Sequence, residues 1–190
     1  MWADWWGAVG NDSTDSLAGI QAAIDSAATN TTSNSTPRTI LLQGVYRISG
    51  QIVWTNGTSR PDSIVLRGVG SLSDSSTLNT FGRAEIFWNG GVAADSAMIL
   101  INGNALSGRI ENLKLDANSQ AGFNVRFKSA SGGVQIVVNG WHIYNCDFLN
   151  ATAAGLSWGP YTAATGTHDA DAANTIVERC DFRGTPQSVV

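Results

Sequence analysis

Charge is scarce in this 190-residue sequence: Asp, Glu, Lys and Arg make up 14% of it, lysine occurs only at Lys114 and Lys128, and the net charge is -4. Without a basic cluster there is no electrostatic footprint for a phosphate backbone, so nucleic acid is not expected as a partner. Long apolar runs are missing as well. No stretch approaches the roughly 20 residues needed to span a bilayer, and residues 1–10 lack the charged-then-apolar order of a secretory signal. The chain is therefore expected to be soluble, with no membrane partner, and an extracellular or virion location remains open. Cysteine is nearly absent. Cys146 and Cys180 are the two in the chain, too few for a disulfide framework or a four-ligand zinc site, and they read as small core residues that mark register, with a disulfide or a ligand pair as the competing reading.

What is present points to β structure. Hydrophobic residues make up 43% of the sequence and glycine contributes 21 residues, with Ser, Thr and Asn crowded between the apolar runs, so turns are many and long helices few. One helix stands out at 17–28, where Leu17, Ile20, Ile24 and Ala27 recur at helical spacing behind the capping run Ser13, Thr14, Asp15 and Ser16. Residues 29–36 are polar, without periodicity, and read as a loop ended by Pro37. From Arg38 onward come short β-rich runs at 39–42, 45–48, 51–54, 64–66, 85–88 and 98–101, each bounded by Gly, Asn, Ser or Asp.

The second half repeats itself. Ile110-Glu111-Asn112-Leu113-Lys114-Leu115, Ile143-Tyr144-Asn145-Cys146-Asp147-Phe148 and Val177-Glu178-Arg179-Cys180-Asp181-Phe182 superpose without gaps at offsets of 33 and 34 residues. A near-constant offset with apolar first, fourth and sixth positions marks a stacked repeat in which each turn buries its face against its neighbours. Strict strand alternation would place the third and fifth positions inside. A sharp bend at Asn112, Asn145 and Arg179 must therefore reset the phase, and Asn112 and Asn145 are expected to stack there with their amides bonded along the axis.

The opening stretch Gly7-Ala8-Val9-Gly10-Asn11-Asp12-Ser13-Thr14-Asp15, followed by Ile20-Gln21-Ala22-Ala23-Ile24-Asp25, resembles the first motif of the pectate-lyase superfamily. Gly44-Val45-Tyr46-Arg47-Ile48 resembles that family's next signature, with Gln43 where a proline is usual. The resemblance implies an all-β fold, a right-handed parallel β-helix solenoid with a short N-terminal capping α-helix. Residues 1–37 are expected to form the cap and 38–190 the β-helix turns, incomplete at their C-terminal end. It further implies the company of secreted polysaccharide-degrading enzymes and phage tailspikes. The expected role is recognition, and in a complete form depolymerisation, of an extracellular or cell-surface polysaccharide, with a homotrimer as the tailspike-like assembly. A non-catalytic adhesion or spacer module is the competing reading, since this fold hosts lyases, hydrolases, binders and inert spikes.

The repeat itself supplies the site expectations. Asp147 and Asp181 share an outward-facing position on successive turns, and paired carboxylates at such spacing are what glycoside hydrolysis uses, so they are the expected catalytic pair. Lys114 in the same column and Arg183 nearby allow a solvated charge ladder instead. Residues 155–174 read as a projecting loop in which Trp158, Tyr161 and His168 could contact sugar, together with Trp141. Trp54, Trp88 and Trp141 stand at strand ends and are expected to face outward. His168, Asp169 and Asp171 make too short a cluster to read as a metal site, so neither metal nor cofactor is expected; lyases of this fold often use calcium, but no ligand set for it is evident. His142 reads as a partly buried structural imidazole.

Overall fold

The computed structural model describes residues 1–29, 38–55, 64–70, 83–102, 108–128, 140–158 and 174–189. The expected helix is α1, Leu17–Thr29, with Ile20, Ala23, Ile24 and Ala27 buried along one face. Its first turn is fixed by Asp15, whose carboxylate accepts from the Leu17 N–H at 3.1 Å. Ser16 lies just before it and exchanges hydrogen bonds of 3.0 Å with the Val9 N–H and C=O. Arg38 closes the other end, donating to the carbonyls of Ser26 and Ala27, orphan acceptors that a helix C-terminus always leaves.

The strands follow in sets of three. The first coil is β2 (Arg38–Leu42), β3 (Val45–Ile48) and β4 (Ile52–Thr55), and the second is β5 (Ile64–Gly68), β6 (Ala84–Trp88) and β7 (Ala93–Asn102). The third coil is β8 (Arg109–Glu111), β9 (Leu113–Asp116) and β10 (Ala121–Lys128); the fourth is β11 (His142–Tyr144), β12 (Asp147–Leu149) and β13 (Ala154–Trp158). The fifth is β14 (Ile176–Glu178), β15 (Asp181–Arg183) and β16 (Gln187–Val189), and β1 (Asn11–Asp15) precedes α1. Every third strand pairs in parallel, giving three sheets in the orders β2-β5-β8-β11-β14, β1-β3-β6-β9-β12-β15 and β4-β7-β10-β13-β16. This is a parallel β-helix, and we name the sheets first, second and third in that order.

Register stacks like on like. Ile40, Leu66, Ile110, Ile143 and Val177 form one column of the first sheet, and Tyr46, Ile86, Leu115, Phe148 and Phe182 one of the second. The first four members of each are buried. The matched segments thus superpose in space as they do in sequence. The bend between the first and second sheets has the expected form: Asn112, Asn145 and Arg179 all sit at φ of 54–55°, the left-handed region that asparagine tolerates best among residues with a Cβ. The Asn145 side-chain amide donates to Asn112 Oδ1 at 2.8 Å, so the polar groups at the corner satisfy one another along the axis.

The first coil would otherwise expose three strand edges, each a row of unpaired backbone groups. A different device covers each. Met1 and Trp2 lie along β2, where the Leu41 N–H donates to the Met1 carbonyl, and β1 pairs with β3. At β4, Gln21 of α1 turns its side-chain amide into a surrogate strand, donating to the Val53 carbonyl and accepting from the Val53 N–H, both at 2.7 Å. Glycine is required where β1 and β3 begin, because a Cβ on Gly44 (φ +109°) would lie 2.4 Å from the Gly10 carbonyl oxygen.

Tyr46 ties the cap to the first coil. Its buried hydroxyl accepts from the Gln43 N–H at 3.0 Å and donates to the Asp4 carboxylate at 2.9 Å. Burial pushes its ionisation up to about 12, with the Asp4 charge adding to the shift. Because the folded value lies above the ordinary 10, the stability carried by the neutral phenol is intact below pH 10 and is lost as pH rises through about 12. Tyr46→Phe is expected to lose less stability than the wild type over that interval, read from urea unfolding midpoints. Equal losses in the two proteins would show that Tyr46 is not held neutral by the cap.

Four strands depart from the expectations, β1 and β16 among them, which lie outside the expected β-rich runs and matched segments. Strand β10 was not foreseen, although Phe123, Val125 and Phe127 alternate within it. Strand β13 falls where a projecting loop was expected to begin, so Gly155–Trp158 is coil wall. The tryptophans at strand ends also turn inward, not outward: Trp54, Trp88 and Trp141 are each 1–2% exposed. Their large apolar area wins over their position near turns.

Candidate functional site

The bends at Asn112, Asn145 and Arg179 set the first and second sheets side by side along one corner. Outward positions on either side of it form two columns. On the first sheet the register aligns Leu41, Arg67, Glu111, Tyr144 and Glu178. On the second it aligns Val45, Glu85, Lys114, Asp147 and Asp181. The result is a ridge of charged, amide and phenol groups running along the helix axis, one step per coil of about 4.8 Å.

Asp147 and Asp181 are therefore register partners, as the repeat implied. Their surroundings differ. Asp147 is only 7% exposed, because Arg83, immediately before β6, lies over it with its guanidinium 2.8 Å from Oδ1. The same guanidinium donates to Asn145 Oδ1 at 2.6 Å, joining the carboxylate to the asparagine pair at the bend. Asp181 is exposed and paired with Arg183 at 3.0 Å. One turn earlier Lys114 donates to Glu85 at 3.0 Å, and burial raises the Glu85 carboxyl above its ordinary range against the opposing pull of Lys114.

Across the corner, the buried Glu111 carboxylate holds Arg67 at 2.6 Å and Arg109 at 3.6 Å. Tyr144 accepts from the Arg179 guanidinium at 3.0 Å, with that cation also 5.6 Å from its ring centre. His142 lies 3.5 Å from the Glu178 carboxylate and 5.6 Å from the Tyr144 ring. It is half-buried on the outer face beside Tyr144, the partly buried imidazole expected from the sequence. Arg67, Arg83, Glu85, Glu111, Tyr144 and Glu178 went unnoticed in the sequence as site residues. The signal for three of them was available: Glu111, Tyr144 and Glu178 are the second positions of the matched segments. Arg83 lies outside the repeat and carried no such signal.

The aromatic residues expected to contact sugar are placed differently. Trp141 is a core residue, edge-on to Trp54 at 5.0 Å and to Phe127 at 5.4 Å, so it offers no ring face to a ligand. Trp158 continues the inner column Trp54, Ile101, Phe127 and stacks on Phe127 at 5.4 Å with the planes 6° apart. It closes the aromatic core rather than standing on a loop. Tyr161 and His168, with Asp169 and Asp171, lie outside the described residues. Among the described residues no three His, Cys, Asp or Glu side chains gather as metal ligands, and no helix is long and apolar enough to cross a membrane.

No family model and no curated protein matches the sequence. Solved structures do. The Agl-KA catalytic domain superposes over 100% of this chain and 34% of its own, with a TM-score of 0.55 at 16% identity. The A-module of the Azotobacter vinelandii mannuronan C-5 epimerase AlgE4 covers 99% of this chain and 53% of its own, with a TM-score of 0.52 at 17% identity. The ORF18 protein of Geobacillus virus E2 covers 95% and 36%, with a TM-score of 0.53 at 16% identity. The shared feature is the fold. The chain spans between a third and just over half the length of these neighbours, and at such identities the likeness carries no activity with it.

Proposed function

We propose that this chain recognises an extracellular or cell-surface polysaccharide along the corner ridge between the first and second sheets. The observation that carries the reading is the pair of outward columns, Arg67-Glu111-Tyr144-Glu178 and Glu85-Lys114-Asp147-Asp181. They repeat polar groups and one phenol ring at a constant step beside each other. A linear glycan also repeats hydroxyls and an apolar ring face at a constant step, so a ridge of this kind can engage several units at once without a deep pocket. The AlgE4 neighbour is named for action on mannuronan, a polysaccharide, which supports a glycan as the ligand class for the same fold. A place in a virion or outside the cell, and a trimeric assembly, belong to the same reading.

Binding is better supported than cleavage. Asp147 is covered by Arg83 at 2.8 Å and is 7% exposed, so its carboxylate is not open to a substrate, while Asp181 has its own partner in Arg183. If the chain cuts its ligand, Asp147 and Asp181 remain the pair the register offers. The spacer reading is favoured by the same internal ion pairs, which satisfy the ridge without any ligand.

One experiment separates the three. The protein is incubated with a panel of bacterial and plant polysaccharides, and retention, reducing ends and absorbance from unsaturated products are followed together. Retention on at least one polysaccharide, with neither product signal, is the expected result. Products that disappear in Asp181→Asn would assign cleavage to the pair and replace the binding-only account. Absence of retention on every polysaccharide would leave the spacer.

A further inference from the structure

The fourth and fifth coils carry a second chemical feature, independent of the ridge. Cys146 and Cys180 immediately precede the register partners Asp147 and Asp181, and the Asp181 N–H donates to the Cys146 carbonyl at 2.9 Å. The two cysteines therefore sit on adjacent coils at the separation of neighbouring strands, about 4.8 Å, inside the Cα range of about 4.4–6.8 Å that a disulfide spans. Both side chains turn inward: Cys146 belongs to the core and Cys180 packs against it. Both thiols are free; Cys146 Sγ donates to the carbonyls of Ile110 and Tyr144, and Cys180 Sγ to those of Ile143 and Glu178.

Their environments differ in a way that divides labour. Cys146 is fully buried, and burial raises its thiol well above the ordinary value. Cys180 is half-buried, and the neighbouring Cys146 thiol draws its ionisation down to about 7 despite partial burial. A thiol lowered in this way is the nucleophile of a disulfide exchange, and its neighbour one coil away is placed to resolve the product.

We infer that Cys180 and Cys146 form a thiol–disulfide exchange site for small-molecule disulfides, which closes into a covalent clamp between the fourth and fifth coils. In the first step the Cys180 thiolate attacks one sulfur of oxidised glutathione. The Cys180–glutathione bond forms, the glutathione disulfide bond breaks, and one glutathione thiolate leaves. In the second step Cys146 attacks the Cys180 sulfur and the second glutathione leaves, taking the Cys146 proton. The protein pair gives up two electrons, and one oxidised glutathione becomes two reduced molecules. A bridge between adjacent in-register strands is stretched at its Cβ atoms, since disulfides favour about 3.8 Å there, so the clamp reopens with a dithiol reductant.

The test is incubation of the native chain with oxidised glutathione, followed by intact-mass measurement and non-reducing peptide mapping. The wild type is expected to lose both free thiols, to fall in mass by two hydrogens with no glutathione retained, and to yield a Cys146–Cys180 linked peptide. Cys146→Ser should retain one glutathione on Cys180, and Cys180→Ser should react at least tenfold more slowly than Cys146→Ser. A wild type that keeps both thiols, or that accumulates a stable glutathione adduct, would overturn the assignment. So would equal reactivity of the two variants. The linked peptide from the wild type decides the matter even where a variant fails to fold.

Discussion

Trp141→Ala is expected to destabilise the fold by about 3–5 kcal/mol, in the range for truncating a large buried aromatic side chain. The indole is 1% exposed and makes edge contacts with Trp54 and Phe127. The backbone packs against it so closely that a Cβ on Gly108 would lie 2.3 Å from its ring. A cavity in such surroundings cannot collapse without moving the third coil against the first and fourth. Native domains are stable by about 5–15 kcal/mol, so the variant should unfold at much lower urea concentration or fail to fold at ordinary temperature. The alternative is a surface tryptophan whose loss weakens glycan contact and leaves the urea midpoint in place. That result would return Trp141 to the role its place before a strand suggested.

Arg83→Met is expected to be the most damaging change on the ridge, at about 3 kcal/mol. Removing one partner of a buried ion pair leaves the other charge without compensation, and losses of about 3–5 kcal/mol follow. Here the stranded groups are the Asp147 carboxylate, which is 7% exposed, and Asn145 Oδ1, which accepts from Arg83 at 2.6 Å. Replacing both charges, in Arg83→Met with Asp147→Leu, should recover much of that loss, because apolar groups can fill the same space without desolvated charge. Urea unfolding of the two single variants and the double variant gives the coupling directly. Additive losses would mean that the pair is solvated and that Asp147 is available for other chemistry.

The two variants mark where the sequence was readable and where it was not. Stacking was legible because it is written as self-similarity: Ile110, Ile143 and Val177 occupy one column in space, as their spacing requires. The bend followed from the same segments by parity, since an apolar residue at the fourth position can face inward only if the third reverses the phase. Its chemistry at Asn112 and Asn145 was therefore also within reach. The cap was legible from helical spacing, but the use of Gln21 to complete an edge strand was not, because nothing local distinguishes it from any exposed glutamine.

The candidate site was legible in part. The Asp147–Asp181 pairing follows from the repeat, yet Arg83, which covers Asp147, is 64 residues away in sequence and belongs to no repeat. Tryptophan misled for a simple reason. Position at a strand end suggests the surface, whereas in a helix of three narrow sheets the strand ends meet at corners, and a bulky ring pointing inward fills the space between them. Trp54 against Trp141, and Trp141 and Trp158 joined through Phe127, do that at the corner where the third sheet leads back to the first.

The central claim is that the corner ridge is the glycan-recognising surface, and Tyr144, half-buried and outward-facing, supplies its aromatic ring. Equilibrium binding of a retained polysaccharide to the wild type and to Tyr144→Ala, with melting temperatures measured alongside, tests it most directly. The account predicts about tenfold weaker binding, equivalent to about 1.4 kcal/mol, with the melting temperature unchanged. Undiminished affinity in Tyr144→Ala would contradict it and place the glycan elsewhere.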